Sequence, residues 1–143
     1  GLLLLTNDGG TARQLELPAT GWVRRYRVRL YGAPTEAQIA ALAAGITVDG
    51  VKYGPIEVTV DSSKGSNSWV TVGLREGRNR EIRRVFDHLH YPVNRLIRIA
   101  YGPFQLGNLP RGDIDEVSRR VLKDQLGISG KEAEKNANRR RQA

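Results

Sequence analysis

Nine residues, Glu76-Gly77-Arg78-Asn79-Arg80-Glu81-Ile82-Arg83-Arg84, carry the densest chemistry in the chain. A glycine at this point lets the backbone turn sharply into a helix. The helix then buries Ile82, Val85 and Phe86 and projects Arg80, Arg83 and Arg84 from its other faces. Its N-terminus carries partial positive charge, so the stretch could hold a phosphate or a catalytic carboxylate. An ordinary amphipathic helix with a solvated arginine face fits the same pattern equally well. The second place is Tyr26, between Arg25 and Arg27. Strand alternation sets Tyr26 on the face opposite those two arginines. A strand tyrosine usually belongs to the core, whereas one beside basic residues can stack on an extruded base. Position alone favours the core.

Other chemistries drop out. The chain has no cysteine, which excludes thiol nucleophiles, disulfides and Cys-ligated metal centres. His88 and His90 are the only histidines and stand near the end of one helix, with no carboxylates at ligand spacing. No metal centre is expected. No glycine pattern of a phosphate loop or a dinucleotide site is present.

The composition points to a polyanionic partner. The 143 residues carry a formal net charge of +8, and 18 of the 23 basic residues are arginine. Arginine grips phosphate with a planar fork and stacks on bases. The excess clusters at Arg24, Arg25, Arg27 and Arg29, then at seven arginines between Arg75 and Arg98. These two clusters are expected to line one nucleic-acid groove. Residues 128–143 are polar and charged without periodicity, and read as a disordered basic tail. Neither a bilayer-spanning apolar run nor a secretory leader is visible.

These residues must be positioned by about one domain's worth of elements. Leu2–Thr6 reads as a buried strand ending at Asn7-Asp8-Gly9-Gly10, and residues 11–18 as a helical turn. Trp22–Tyr31 alternates as a half-buried strand with a basic outer face. A helix follows Pro34-Thr35-Glu36, buries Ile39 and Leu42, and stops at Gly45. Ile46–Val48, Ile56–Val60 and Trp69–Leu74 read as strands, with a hairpin turn at Asp49-Gly50. Ser62–Ser68 reads as a flexible polar loop. Gly77–His90 is a helix with Asn79 as its N-cap. Val93–Tyr101 is a strand, and a last helix spans 113–126. This order predicts an α+β fold, a mainly antiparallel mixed sheet with flanking helices.

Four segments together carry a resemblance to a known family. They are Gly1–Gly9, Arg25-Tyr26-Arg27-Val28, Leu74–Arg84 and Leu96–Phe104. At these separations they resemble the RsuA/RluB-type ribosomal RNA pseudouridine synthases, and the large-subunit branch, of the RluB kind, most. The resemblance runs from Gly1 to about Leu126 and implies the catalytic-domain fold of that family over residues 1–127. It implies conversion of one uridine in rRNA, of the 23S kind, to pseudouridine by a cytoplasmic enzyme without cofactor. By that resemblance Tyr26 stacks on the uracil and takes part in deprotonating C5, and Arg83 pairs with the catalytic aspartate. Leu96 walls the pocket, and Arg78, Arg80 and Arg98 contact RNA.

The family's aspartate lies in a G-R-L-D-x-x-[TS]-x-G stretch whose last glycine matches Gly1. The aspartate is therefore expected just upstream of Gly1, in a parent protein longer than this chain, and Asp8 cannot replace it. The 143 residues alone are then expected to be inactive. A non-catalytic RNA-binding or ribosome-assembly module with the same basic surface is the alternative.

Overall fold

The computed structural model describes residues 1–16, 21–78 and 80–126. In chain order its elements are α1 (Gly9–Glu16), β1 (Arg24–Tyr31), α2 (Glu36–Ala44), β2 (Ile46–Val48), β3 (Val51–Tyr53), β4 (Ile56–Lys64), β5 (Asn67–Leu74), α3 (Glu81–His88), β6 (Val93–Tyr101), β7 (Phe104–Gln105) and α4 (Arg119–Leu126). The chain divides into two compact units. Gly1–Leu2 and Trp22–Leu106 form the first, and Leu3–Gly21 with the chain from Gly107 onward forms the second. The second unit's described elements are α1 and α4.

The first unit is the expected α+β body. Five strands form a sheet in the order β4-β5-β1-β6-β7, every neighbour antiparallel, and β2-β3 forms a separate hairpin. Alternation along β1 sends Val28 and Leu30 to one face, where Val70, Val72 and Leu74 of β5 and Ile56 and Val58 of β4 join them. α3 covers that face with Ile82, Val85 and Phe86, and Leu42 of α2 completes the core beside Val48 and Tyr53 of the hairpin. α2 starts at a capping box. The Thr35 hydroxyl accepts the Gln38 N–H, and the Gln38 side chain accepts the Thr35 N–H. At the β2–β3 turn Asp49 and Gly50 both take positive φ, as a two-residue type I′ hairpin turn requires.

Several sequence expectations are corrected. Leu2–Thr6 is not a buried strand. Only Leu2 bonds to the sheet, its N–H donating to the Arg98 carbonyl at 2.7 Å, while Leu3 and Leu5 are 70% and 77% exposed. An apolar run becomes a buried strand only where partners cover it. Ser62–Ser68 is not a loop. β4 and β5 continue through it in register to a tight turn at Gly65-Ser66, with one bulge between Val60 and Ser62. Residues 62–67 are exposed, so polar side chains suit the ladder, while buried Ser68 donates its hydroxyl to the Gly32 carbonyl at 2.6 Å.

β1 starts at Arg24 rather than Trp22, because Trp22 turns edge-on against Tyr101 and Phe104. Its ring lies so close to Gly102 that a Cβ there would stand 2.6 Å away. α3 starts at Glu81, and its N-cap position holds Arg80, with no side-chain capping bond. Asn79, expected as that cap, lies outside the described residues. α4 starts at Arg119, not near 113, because Ser118 supplies the first turn's acceptors to Val121 and Leu122. The expected basic tail at 128–143 also lies outside the described residues. No described helix is long and apolar enough to cross a membrane.

Candidate functional site

Tyr26 is paired across the sheet with Val72 of β5 and with Arg98 of β6. Two residues on, Val28 faces Leu96. Directly paired residues share a face, so Tyr26, Leu96 and Arg98 stand together on the side covered by α3. Tyr26 and Leu96 are half-buried and pack against the core cluster that includes Ile82, Val85 and Phe86. The tyrosine thus belongs to the margin of the core, with its phenol bonded to no described residue.

Arg98 ties this place to the start of the chain. Its Nε donates to the Leu2 carbonyl at 3.0 Å, while its own carbonyl receives the Leu2 N–H. Gly1 fits there because it lacks a side chain: a Cβ would stand 2.7 Å from the Arg98 backbone nitrogen. The Arg98 guanidinium lies 5.2 Å from the Tyr101 ring centroid, and Arg24 lies 4.9 Å from the same centroid. Arg24 also donates to the Tyr101 hydroxyl at 3.2 Å.

The other expected site residues are more scattered. Arg83 stands half-buried on α3, and its Nη1 reaches the Val93 carbonyl at a long 3.5 Å. Among the described residues no carboxylate pairs with it. Arg78 is exposed and paired with Glu76, Nε to Oε2 at 3.2 Å. Arg80 is exposed and sits at φ 55°, the left-handed turn into α3. The structure therefore gathers Tyr26, Leu96 and Arg98, places Arg83 on the helix above their face, and leaves Arg78 and Arg80 on the loop outside.

The single arginine-lined groove expected from the charge clusters is also corrected. Arg25, Arg27 and Arg29 point from the sheet face opposite Tyr26, where Arg29 pairs with Trp69 and Arg95. Strand alternation separates them from Arg24, Tyr26 and Arg98.

One pair escaped the sequence reading. Glu81 is 3% exposed, and neither carboxylate oxygen has a hydrogen-bond partner. Burial, reinforced by the neighbouring Glu76, pushes its pKa up to about 8. Glu76 is held below the usual carboxylate range, first by the Glu81 carboxyl, which when protonated is a donor to it. The Gly54 N–H at 2.7 Å and Arg78 add to that effect. No closed hydrogen bond joins the two carboxyls in the structure, so the shared proton is a contact available to them rather than one already made. The signal lay in the helix stripe, since Glu81 precedes Val85 by one turn and falls on the buried side.

Among the described residues no cluster of histidine and carboxylate side chains could hold a metal ion. What the site does offer is a half-buried tyrosine whose cross-strand neighbour is an arginine, an arrangement suited to a planar base and its phosphates.

Comparison with known proteins gives the family. The family model for RNA pseudouridylate synthase matches residues 1–88. An uncharacterised RNA pseudouridine synthase of Rickettsia prowazekii is 44% identical over 126 residues, covering 88% of this chain and 53% of that protein. The ribosomal large subunit pseudouridine synthase B of Haemophilus influenzae is 40% identical over 118 residues, covering 82% of this chain and 33% of that protein. The chain thus spans about half the length, or less, of these relatives. A crystal structure of a pseudouridylate synthase superposes with a TM-score of 0.74 at 22% identity, covering 84% of this chain and 52% of that one, and so shares the fold. With the family model matching well over half its length, and with Tyr26 and Arg83 both inside the matched span, this chain belongs to the RNA pseudouridylate synthase family.

Proposed function

We propose that this chain is part of an enzyme that isomerises one uridine of ribosomal RNA, in the 23S rRNA of the large subunit, to pseudouridine. The carrying observation is the grouping of Tyr26, Leu96 and Arg98 on one sheet face, with Leu2 bonded to Arg98. The name of the Haemophilus relative supports the large-subunit target. In the reaction the N1–C1′ bond breaks, the uracil turns, and a C5–C1′ bond forms. C5 loses a proton and N1 gains one, so reactant and product are isomers and no redox partner is consumed.

The target base must first leave its stack, at a cost of a few kcal/mol. Tyr26 offsets part of that cost by stacking on the uracil, Leu96 walls the pocket, and Arg98, Arg78 and Arg80 hold the RNA. Tyr26 then receives the C5 proton. The reaction also needs a carboxylate oriented by Arg83. Among the described residues no carboxylate is ion-paired with Arg83 or hydrogen-bonded to Tyr26, which supports inactivity of the 143 residues alone. The bond between Leu2 and Arg98, the cross-strand partner of Tyr26, holds the Gly1–Leu2 segment beside this face.

The test is tritium release from C5-labelled uridine in rRNA. In the parent protein Tyr26→Phe is expected to lower turnover by about 100-fold or more, the usual scale for loss of a general base. RNA affinity should change only several-fold, and Arg83→Ala should behave the same way. Equal losses of turnover and affinity would instead assign Arg83 to phosphate binding and favour a binding module. Tritium release by the isolated chain would overturn its inactivity.

A further inference from the structure

The sheet face opposite Tyr26 carries an arrangement that the catalytic reading does not use. Arg25, Arg27 and Arg29 follow one another at alternate positions of β1, about 7 Å apart. Arg29 lies directly opposite Arg95 of β6 on one side and Trp69 of β5 on the other. The Arg27 and Arg29 guanidinium carbons lie 4.9 and 5.7 Å from the Trp69 ring centroid. Arg25, Arg27 and Arg95 are exposed.

None of these four arginines has an ion-pair partner among the described residues. The acids on this face are Glu57 and Asp61 of β4. Asp61 accepts the Thr71 hydroxyl at 2.6 Å, and Glu57 forms no ion pair. The Arg29 Nε is buried and lacks an acceptor. Like charges directly opposite on a sheet destabilise it, so an Arg29–Arg95 pair without a counter-charge is an unfavourable arrangement in isolation. A polyanion removes that penalty. Guanidiniums stacked on an indole keep their N–H edges for phosphate oxygens, and stacking limits the rotamer freedom lost on binding.

We propose that this face is a second RNA-contact surface, on which Arg25, Arg27, Arg29 and Arg95 hold backbone phosphates around Trp69. It would bind a part of the RNA remote from the modified uridine. The proposal rests on the RNA-substrate reading above. RNA is favoured over an acidic protein because the arginines run in file along one strand, as phosphates do along a nucleic-acid backbone, and phosphate is the bidentate partner of the guanidinium fork.

The test measures binding of a labelled stem–loop rRNA fragment against salt concentration, using the 143-residue chain and the parent protein. The triple variant R25Q/R27Q/R95Q is expected to lose about tenfold or more in affinity near physiological salt. Its log K against log salt plot should become shallower by about 2–3, the loss of three phosphate contacts. The triple R25K/R27K/R95K keeps the charge and should keep the slope. Wild-type slope in the glutamine variant of the parent protein overturns the proposal, whether a further segment covers the face or it stays solvated. Displacement of the RNA by polyglutamate as readily as by competitor RNA overturns it in favour of an acidic protein partner.

Should the glutamine variant fail to fold, photocrosslinking of 4-thiouridine RNA to wild type decides. Crosslinks at Trp69 support the surface, and crosslinks confined to Tyr26 and its neighbours overturn it. A wild-type chain with no salt-dependent RNA affinity would instead remove the underlying RNA reading.

Discussion

β1 contributes to two surfaces with different energetics. On one face Val28 and Leu30 are fully buried beneath α3, with Tyr26 at the margin. On the other, Arg25 and Arg27 are exposed and Arg29 is half-buried against Trp69. The first face stabilises the fold by removing apolar area from water and sets the position of the candidate catalytic tyrosine. The second presents charge that contributes little to folding. A strand's period of two keeps these tasks on separate sets of side chains. Changes to the basic face should therefore move RNA binding and leave stability nearly untouched, whereas truncating the fully buried residues beneath α3, away from Tyr26, Leu96 and Arg98, should do the reverse.

The sharpest way to break this division is at Phe86, which is fully buried where α3 meets the sheet. Phe86→Ala leaves a cavity under the helix that carries Arg83. It is expected to cost about 3–5 kcal/mol in urea unfolding, the usual range for truncating a buried phenylalanine. A loss below about 1 kcal/mol would mean that α3 is not the cover holding this face.

The alternating pattern made this division readable from the sequence. Trp22–Tyr31 showed both faces of the strand, and Ile82, Val85 and Phe86 showed the buried stripe of α3. Tyr26 and Leu96 were readable through the family's segments, and cross-strand register then brought them together with Arg98. The errors have physical causes. The leucines of residues 2–5 looked buried because composition cannot say whether a partner strand is present. Ser62–Ser68 looked like a loop because polar residues in a largely solvated ladder carry no apolar alternation. The two arginine clusters looked like one groove because linear charge density does not record which face a strand residue takes. The burial of Glu81 is hard to read from sequence because a charged residue at a helix start is normally solvated.

That glutamate gives the second test of the covered face. Its pKa of about 8 in the folded protein lies above the ordinary carboxylate value of 4.5, so the native state holds the proton more tightly than the unfolded chain. Stability from this group is therefore complete below about pH 4.5 and is lost as pH rises through about 8. Glu76, with its lowered value, acts in the opposite sense and only at acid pH, where its stabilisation is lost. Glu81→Gln cannot ionise. Its Tm should match wild type near pH 5 and exceed it near pH 9, read by thermal unfolding at the two values. Parallel Tm profiles would show that Glu81 is not desolvated by the α3 cover, and would narrow the buried face to its apolar residues.

The smallest expected effect lies on the other face. Arg27 is exposed, and its contact with Trp69 is the kind of cation–π pair worth about 0.5–1 kcal/mol at the surface. Its removal also relieves repulsion from Arg25 and Arg29, two residues away on the same side. The two contributions oppose each other, so Arg27→Gln should change stability by less than about 0.5 kcal/mol in urea unfolding, as surface substitutions usually do. Salt separates them. Screening weakens repulsion between exposed charges, so wild type should gain more stability than the variant between low and high salt. Equal gains would show that the arginine row is not under mutual strain. The basic face would then lose the feature that most distinguishes it from an ordinary solvated one.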